Sequence, residues 1–446
     1  MGGALITIAE LRQKFEAAEI RRVKVGAFDL DGVLRGKYIS LDKFYSGAET
    51  GLGFCDVVFG WDIGDVLLDN VKFTGWHTSY PDALAIIDLD SFRIIPWEPG
   101  TAFFLLDLLT KEGTPLSLSP RQLFRNVLKT AEDRGFKTYF AAEFEFWFFR
   151  ESPESLRAKG FRGLTPVSPG SFGYSVLRAS QNAELVTDIL ENMSAFGVPL
   201  EGFHTETGPG VYEAAIALDT GLKAADKAAL FKTALKEIAS RHGLTVTFMA
   251  KWNAELAGSS GHIHQSLWSE DTNLFYQGET RGQYIAGLTS CLPELMCLVC
   301  PTINSYKRTV PGTWAPINAT WGEDTRTTAV RSIRGSAKSS RIELRLSGAD
   351  INPYLAMAAS LAAGLEGMER KLVPPAPVTN AYAAPADAPL PRNLSDAVKL
   401  FRASAMARKW FGDQFVDHYA ATREWEVRQF EKAVTDWELA RYFESI

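Results

Sequence analysis

Residues Thr138 to Phe149 read TYFAAEFEFWFF, a stretch that is almost wholly apolar apart from two acids. Strict alternation sets Ala141, Glu143, Glu145 and Trp147 on one face and Phe140, Ala142, Phe144, Phe146 and Phe148 on the other. The second face predicts a strand laid against a core. The first carries two carboxylates pointing the same way, an unfavourable pair once buried unless a cation or strong donors sit with them. A lone Glu-x-Glu usually marks the solvated face of an edge strand, but three later segments repeat this pattern.

In FHTETGPGVYE (203–213), Glu206 and Glu213 flank a Gly-Pro-Gly turn able to bring both to one locus. In GSSGHIHQSL (258–267), His262, His264 and Ser266 share a strand face opposite Ile263 and Leu267. In RIELRL (341–346), Arg341, Glu343 and Arg345 oppose Ile342, Leu344 and Leu346. Each segment has one chemical and one apolar face. A curved antiparallel sheet carrying these acids and histidines on its concave side is a polynuclear site for hard divalent ions, and carboxylate-rich ligation favours Mg²⁺ or Mn²⁺ over zinc. The interleaved arginines suit a polyanionic substrate, because their forked donors match phosphate and carboxylate oxygens.

The 446 residues suffice for two or three domains. A net charge of −6 without a basic run argues against nucleic acid as the main partner. Cys55, Cys291, Cys297 and Cys300 lack a disulfide-framework spacing, which fits a reducing cytoplasm, and the Cys297-x-x-Cys300 pair lies in the apolar run CLPELMCLVC and reads as buried helix thiols. No segment reaches the roughly 18 uninterrupted apolar residues of a membrane span. The amino terminus shows no signal peptide, and Ile6 stands where myristoylation wants Ser or Thr.

Along the chain, residues 7–19 predict an amphipathic helix with Leu11 and Phe15 inward, and a strand follows from Val23 to Phe28. FDLDGVL (28–34) resembles the nucleophile motif of haloacid-dehalogenase-type phosphatases, with Gly64, Asp65 and Asp69 mimicking their acidic motif. That acidic group arrives too soon to leave room for the βαβ units such a fold requires. The plain alternative is two strands joined by an Asp-Gly hairpin turn.

PWEPG closes a section of short strands and predicts a small first domain at 1–105, followed by a larger one at 106–446. Helices are expected from Ser119-Pro120 to Gly135, from a Ser180 cap to Gly197, and over about 222–242, giving a sheet backed by helices. Residues 373–392, rich in Ala and Pro, read as a surface excursion. The tail from Ser395 is helical, with Leu400, Trp410, Phe411, Trp425, Phe430 and Trp437 as packing residues.

In order, EFEF, HTETGPGVYE, GSSGHIHQSL, NSYKRTVPG, RTTAVR and AKSSRIELRL followed by NPY resemble the glutamine synthetase family, from roughly residue 25 to 370. The resemblance implies an α+β protein with a small amino-terminal β-grasp-like domain and a catalytic domain built on a curved antiparallel sheet backed by helices. It also implies a ring-shaped homo-oligomer, a dodecamer, with active sites shared between neighbours. By the same resemblance Glu145, Glu206 and Glu213 are ligands of one metal, and Glu143, His262 and Glu343 of a second, within a set of two or three Mg²⁺ or Mn²⁺ ions. Arg308 and Arg345 fall where glutamate is held, with Gly258 in the backbone beside it. Arg326 and Arg331 match phosphate-contacting arginines, and Arg326 and Glu213 are expected to be catalytic. Glu201, His264, Ser266, Lys338 and Arg341 fall where ATP, the co-substrate, is bound.

The chain departs from the family at one loop. Ammonia-using members carry a glutamate two residues after the glycine of Arg-x-Val-Pro-Gly, where it helps deprotonate ammonium. Here the loop runs from Arg308 to Gly312, Thr313 and Trp314, so a tryptophan replaces the acid. The expected Phe-Asp-Gly-Ser segment becomes Phe54-Cys55-Asp56-Val57-Val58. Loss of both elements of a cation cage, with the other residues kept, points to a γ-glutamyl-amine ligase acting on a polyamine, ethanolamine or alkylamine, and an aromatic wall such as Trp314 suits an alkylammonium. Glutamine synthesis from ammonia is the alternative, and a catalytically silent homologue is the third reading, against which the retained acids argue.

Overall fold

The computed structural model describes residues 6–383 and 389–446. The amino-terminal Met-Gly and residues 384–388 of the Ala/Pro-rich segment lie outside the described residues.

A first helix, Ile8–Ala17, starts at a Thr7/Glu10 capping box and buries Leu11 and Phe15, as its periodicity predicts. Six strands follow: β1 (Arg22–Phe28), β2 (Leu34–Ile39), β3 (Leu52–Cys55), β4 (Asp82–Ile87), β5 (Arg93–Ile94) and β6 (Thr101–Leu109). They form a mixed sheet in the order β2-β1-β6-β4-β3, with β5 on β6. The central pair β1/β6 is parallel and its neighbours are antiparallel, a β-grasp arrangement. β1 and β2 are a hairpin closed at Phe28 and Leu34, with Gly32 in the left-handed region at its tip (φ 76°).

The larger sheet contains β7 (Lys137–Phe149), β8 (Leu200–Thr205), β9 (Val211–Ile216), β10 (Asp219–Thr220), β11 (Thr245–Thr247), β12 (Gly261–Ser269), β13 (Thr272–Asn273), β14 (Trp321–Glu323), β15 (Val330–Ile333) and β16 (Arg341–Leu344). Its order is β14-β15-β16-β12-β7-β9-β8, antiparallel except for the β14/β15 pair. Phe140, Ala142, Phe144, Phe146 and Phe148 are buried beneath β7, and each phenylalanine removed from water contributes roughly 1.5–3 kcal/mol. Against this face pack Pro120–Asp133, capped by Ser119, and Gly221–Arg241. Behind them lie Thr280–Val299 and Pro353–Glu369, which touch backbone to backbone: a Cβ on Gly287 would stand 2.1 Å from the Ala363 carbonyl. Only glycine permits that approach.

Several local expectations need correction. Ser180 caps nothing; it ends a short helix, Val176–Ser180, and the next, Ala183–Ala195, starts after Asn182. In the tail, Phe411 and Trp425 are buried and Trp410 is half-buried, but Leu400, Phe430 and Trp437 are exposed, because the final helices present only one narrow face to the core. The segment expected as a surface excursion is mostly exposed where described, and it is tethered to the sheet: Trp321 Nε1 donates to the Pro375 carbonyl at 2.7 Å, and the Val378 amide to the Trp321 carbonyl at 2.9 Å. Cys291, Cys297 and Cys300 are buried in or at the end of Thr280–Val299, and burial pushes the Cys291 and Cys300 thiols up to about 12. Such thiols are inert.

No helix among the described residues is long and apolar enough to cross a membrane.

Candidate active site

Register assembles the site. On β7, Glu143 lies opposite His262 of β12, and Glu145 opposite Glu213 of β9. His264 of β12 lies opposite Glu343 of β16, which in turn faces Arg331 of β15. Directly opposed residues of antiparallel strands sit about 4.5–5.5 Å apart, so five strands bring their polar faces to one concave surface. That surface walls a cavity of about 810 Å³.

Every residue the sequence points to lines this cavity. The six expected metal ligands, Glu143, Glu145, Glu206, Glu213, His262 and Glu343, do so together. So do Gly258, Arg308, Trp314, Arg326 and Arg345, and so do Glu201, His264, Ser266, Arg331, Lys338 and Arg341.

The contacts are dense. Arg341 Nε donates to His264 Nδ1 at 3.2 Å, which leaves the proton on Nε2, donated to Glu143 at 2.9 Å. His262 Nδ1 stands 3.5 Å from Glu343 and 3.8 Å from Glu143. Glu343 pairs with Arg331 at 2.9 Å and with Arg345. The Ser260 amide donates to Glu145 at 2.6 Å. Arg308, 2% exposed, gives its guanidinium to the Leu346 and Arg345 carbonyls, each at 2.9 Å, and to Ser260 Oγ at 3.2 Å; it braces the wall that it lines. Arg326 and Lys338 are exposed, and among the described residues no salt bridge involves either, leaving two cations free to meet an anion.

Electrostatics divides the acids into two kinds. Burial opposes ionisation of Glu343, but the charges of His262, His264, Arg345 and Arg331 outweigh it and draw this carboxyl down to about 2. Burial likewise opposes ionisation of Glu143, and the nearby His262 and the hydrogen bond from His264 overcome it. Glu213 goes the other way: burial, then Glu143 and the charges of Glu145 and Glu206, push it well above the usual carboxylate range. Burial raises Glu145 to about 6 and lowers His262 to about 4. These side chains cannot all be ionised at neutral pH without added positive charge.

Three groups of ligand atoms lie within 4.8 Å of one another: Glu143, His264 and Glu343; Glu143, Glu213 and His262; and His204, Glu206 and Glu213. Such oxygen-rich sets fit a hard divalent cation.

Two residues of the site escaped the sequence reading. His204 approaches Glu213 at 3.1 Å and Glu206 at 3.6 Å; its position two residues before Glu206, on the same strand face, was the available signal. Tyr174 stacks on the His204 ring at 4.4 Å from a loop with no regular pattern. Trp314 is 58% exposed with φ at 55°, a left-handed conformation that puts about 1–3 kcal/mol of strain into a bulky residue. Asp56 is buried in the amino-terminal part, accepts from the Thr74 hydroxyl at 2.6 Å and does not line the cavity.

The phosphatase-like motif is structural. Asp29 accepts from Arg35 at 2.8 Å and from the amides of Asp31 and Val33, and Asp31 pairs with Arg423 at 2.6 Å. Both acids are engaged inside the hairpin loop, which leaves no free nucleophile.

Fold and site together define an enzyme of the carboxylate-rich, ATP-dependent carbon–nitrogen ligase class. Residues 117–442 match the glutamine synthetase catalytic domain. The chain is 46% identical to the type-1 glutamine synthetase 2 of Dictyostelium discoideum over 95% of its length and 84% of that protein's. It is 41% identical to the glutamate–isopropylamine ligase of a Pseudomonas species over 98% of both chains. A solved structure of GmaS without ligand superposes with a TM-score of 0.85 at 27% identity, covering 98% of this chain and 99% of that one. The chain belongs to the glutamine synthetase family, whose ligases use ATP and divalent metal ions.

Proposed function

We propose that the chain joins the γ-carboxylate of glutamate to a small amine bulkier than ammonia, an alkylamine, ethanolamine or a polyamine. The observation that carries this reading is Trp314: an indole lines the cavity at the loop position where ammonia-using relatives place an acid. The likeness to a glutamate–isopropylamine ligase supports it.

A carboxylate is a poor acyl donor, so its oxygen first takes the terminal phosphoryl group of ATP, forming one P–O bond as the bond to ADP breaks. The amine nitrogen then attacks the carbonyl carbon of the γ-glutamyl phosphate. Before that attack the nitrogen must lose the proton that at neutral pH an alkylammonium of pKa about 10 still holds; the C–N bond then forms, phosphate leaves, and a second N–H proton departs to give the amide. In this reading Arg345 and the Gly258 segment orient glutamate, with Arg308 bracing them. Arg326 and Arg331 meet the phosphoryl oxygens, and Glu201, His264, Ser266, Lys338 and Arg341 hold the nucleotide. Glu145, Glu206 and Glu213 would hold one divalent ion and Glu143, His262 and Glu343 another, of two or three Mg²⁺ or Mn²⁺ per site. When bound, the ions neutralise charge that develops on the transferring phosphoryl group. Glu213, of the first set, also stands with Glu143 and His262 of the second, and in this reading it is catalytic along with Arg326.

The reading extends to two domains, expected at 1–105 and 106–446; the two separate sheets support the division, but that boundary falls inside β6 (Thr101–Leu109), a strand of the first sheet, and so belongs beyond Leu109. It extends also to a ring-shaped homo-oligomer, a dodecamer with shared sites, working in the cytoplasm without nucleic acid or membrane partners.

ADP release with glutamate and a panel of amines tests the proposal. An alkylamine, ethanolamine or polyamine should give a higher kcat/KM than ammonium. Ammonium preferred at equal concentration would instead establish the second reading, glutamine synthesis, which the likeness to the Dictyostelium glutamine synthetase favours.

A further inference from the structure

The loop 309–315 carries Trp314 and Thr313 into the cavity. Its near end is rooted at Arg308, whose side chain is locked to three acceptors. Its far end is held from elsewhere in the chain: Tyr382 Oη donates to the Ala315 carbonyl, next to Trp314, at 3.1 Å. That hydroxyl therefore ties the loop at the residue next to Trp314.

Tyr382 is itself fixed. Its amide donates to Asn380 Oδ1 at 3.0 Å, the Ala381 amide to Thr327 Oγ1 at 3.0 Å, and Asn318 Nδ2 to the Ala381 carbonyl at 3.0 Å. Ala381 is fully buried. The phenol thus reaches the loop from a backbone anchored to the turn that carries Arg326. Tyr382 does not line the cavity, so it bears on the site only through the loop. Tryptophan does not favour the left-handed backbone that Trp314 adopts, and that conformation persists where the surroundings impose it.

We infer that Tyr382 is a positioning residue for amine recognition, holding loop 309–315 and the Trp314 indole in the shape that the incoming nitrogen nucleophile meets. The inference rests on the ligase reading and deepens it: the Ala/Pro-rich segment, through this one hydroxyl, sets the nucleophile end of the site, while the metal-type and arginine face is set by the sheet.

The test is Tyr382→Phe in the full-length protein, which keeps the ring and removes the hydroxyl. KM for the best amine should rise about three- to tenfold, in line with the worth of one hydrogen bond, with KM for ATP and glutamate, amine-independent ADP release and Tm unchanged. Hydrogen–deuterium exchange of a peptide covering 309–315 should quicken. An unchanged amine KM overturns the inference, as does a parallel rise in all three KM values with a lowered Tm, which would mark a merely structural tyrosine. If the wild-type enzyme prefers ammonium, the ligase reading fails on its own. The positioning role is then judged by the ammonium KM and by loop exchange, and fails if neither moves.

Discussion

Asp29-x-Asp31 and Glu143-x-Glu145 are two acidic pairs of identical spacing, and the fold treats them in opposite ways. Each aspartate is closed by an arginine of the protein, Arg35 at 2.8 Å and Arg423 at 2.6 Å. The glutamates are given histidines and one backbone amide, and the neighbouring strands add further carboxylates from Glu206, Glu213 and Glu343. A pair whose charge is cancelled internally holds structure together. One whose surroundings add negative charge and leave a cavity in front demands a cation from outside. Spacing alone says nothing about which is which; the position of the compensating charge does.

The largest expected effect tests the open pair. Glu143→Ala should lower glutamate-dependent ADP release at least about 10³-fold, since it removes charge organisation at the phosphoryl group. Its Tm should not fall, because crowding against Glu213 is relieved. Wild-type turnover in saturating Mg²⁺ and Mn²⁺ would break the comparison.

Next comes the closed pair. Asp31→Ala leaves Arg423, 4% exposed, buried without its counter-charge, and should destabilise the fold by about 3–5 kcal/mol, read from denaturant unfolding, with specific activity of the folded fraction retained. Loss of activity at unchanged stability would reverse the assignment and make the hairpin a site.

Trp314→Glu should reduce kcat/KM for the best alkylamine about ten- to a hundredfold, or roughly 1–3 kcal/mol from lost apolar and cation–π contact, while ADP release supported by glutamate alone changes far less. An unmoved ratio of alkylamine to ammonium kcat/KM would remove the indole from the amine pocket.

The smallest effect concerns His418, on the same tail helix as Arg423. Its Nε2 donates to the Phe59 carbonyl at 2.9 Å, its Nδ1 is buried without a partner, and burial lowers it to about 4. The unfolded chain therefore binds the proton first, so the stability His418 contributes is present above its ordinary pKa and is lost as pH falls toward 4. Between pH 7 and pH 5 the loss should be about 1–2 kcal/mol, and His418→Gln should flatten that limb in pH-dependent unfolding; an unchanged slope would refute it.

Much of the site was legible because strand alternation is local. Glu143, Glu145, His262, His264 and Glu343 announce their shared face within their own segments, and the ordered motifs placed Arg326, Arg331 and Lys338. Local rules failed where a residue's fate depends on what arrives from elsewhere. Ser180 has the chemistry of a cap but ends a helix, and Leu400, Phe430 and Trp437 are apolar yet exposed because no element among the described residues covers them. Tyr174 reaches the site from an irregular loop whose sequence carries no period.

By itself the sequence determined which side chains share a strand face, which faces are apolar, and that a cation-demanding set of acids recurs in family order. These follow from backbone geometry over a few residues. The tertiary structure alone decided which faces meet: Glu145 opposite Glu213, Glu143 opposite His262, Arg423 closing Asp31, and the Tyr382 hydroxyl beneath the loop of Trp314. Such pairings join residues far apart in the chain, and they are fixed by the register and packing of the whole sheet, which no single segment encodes.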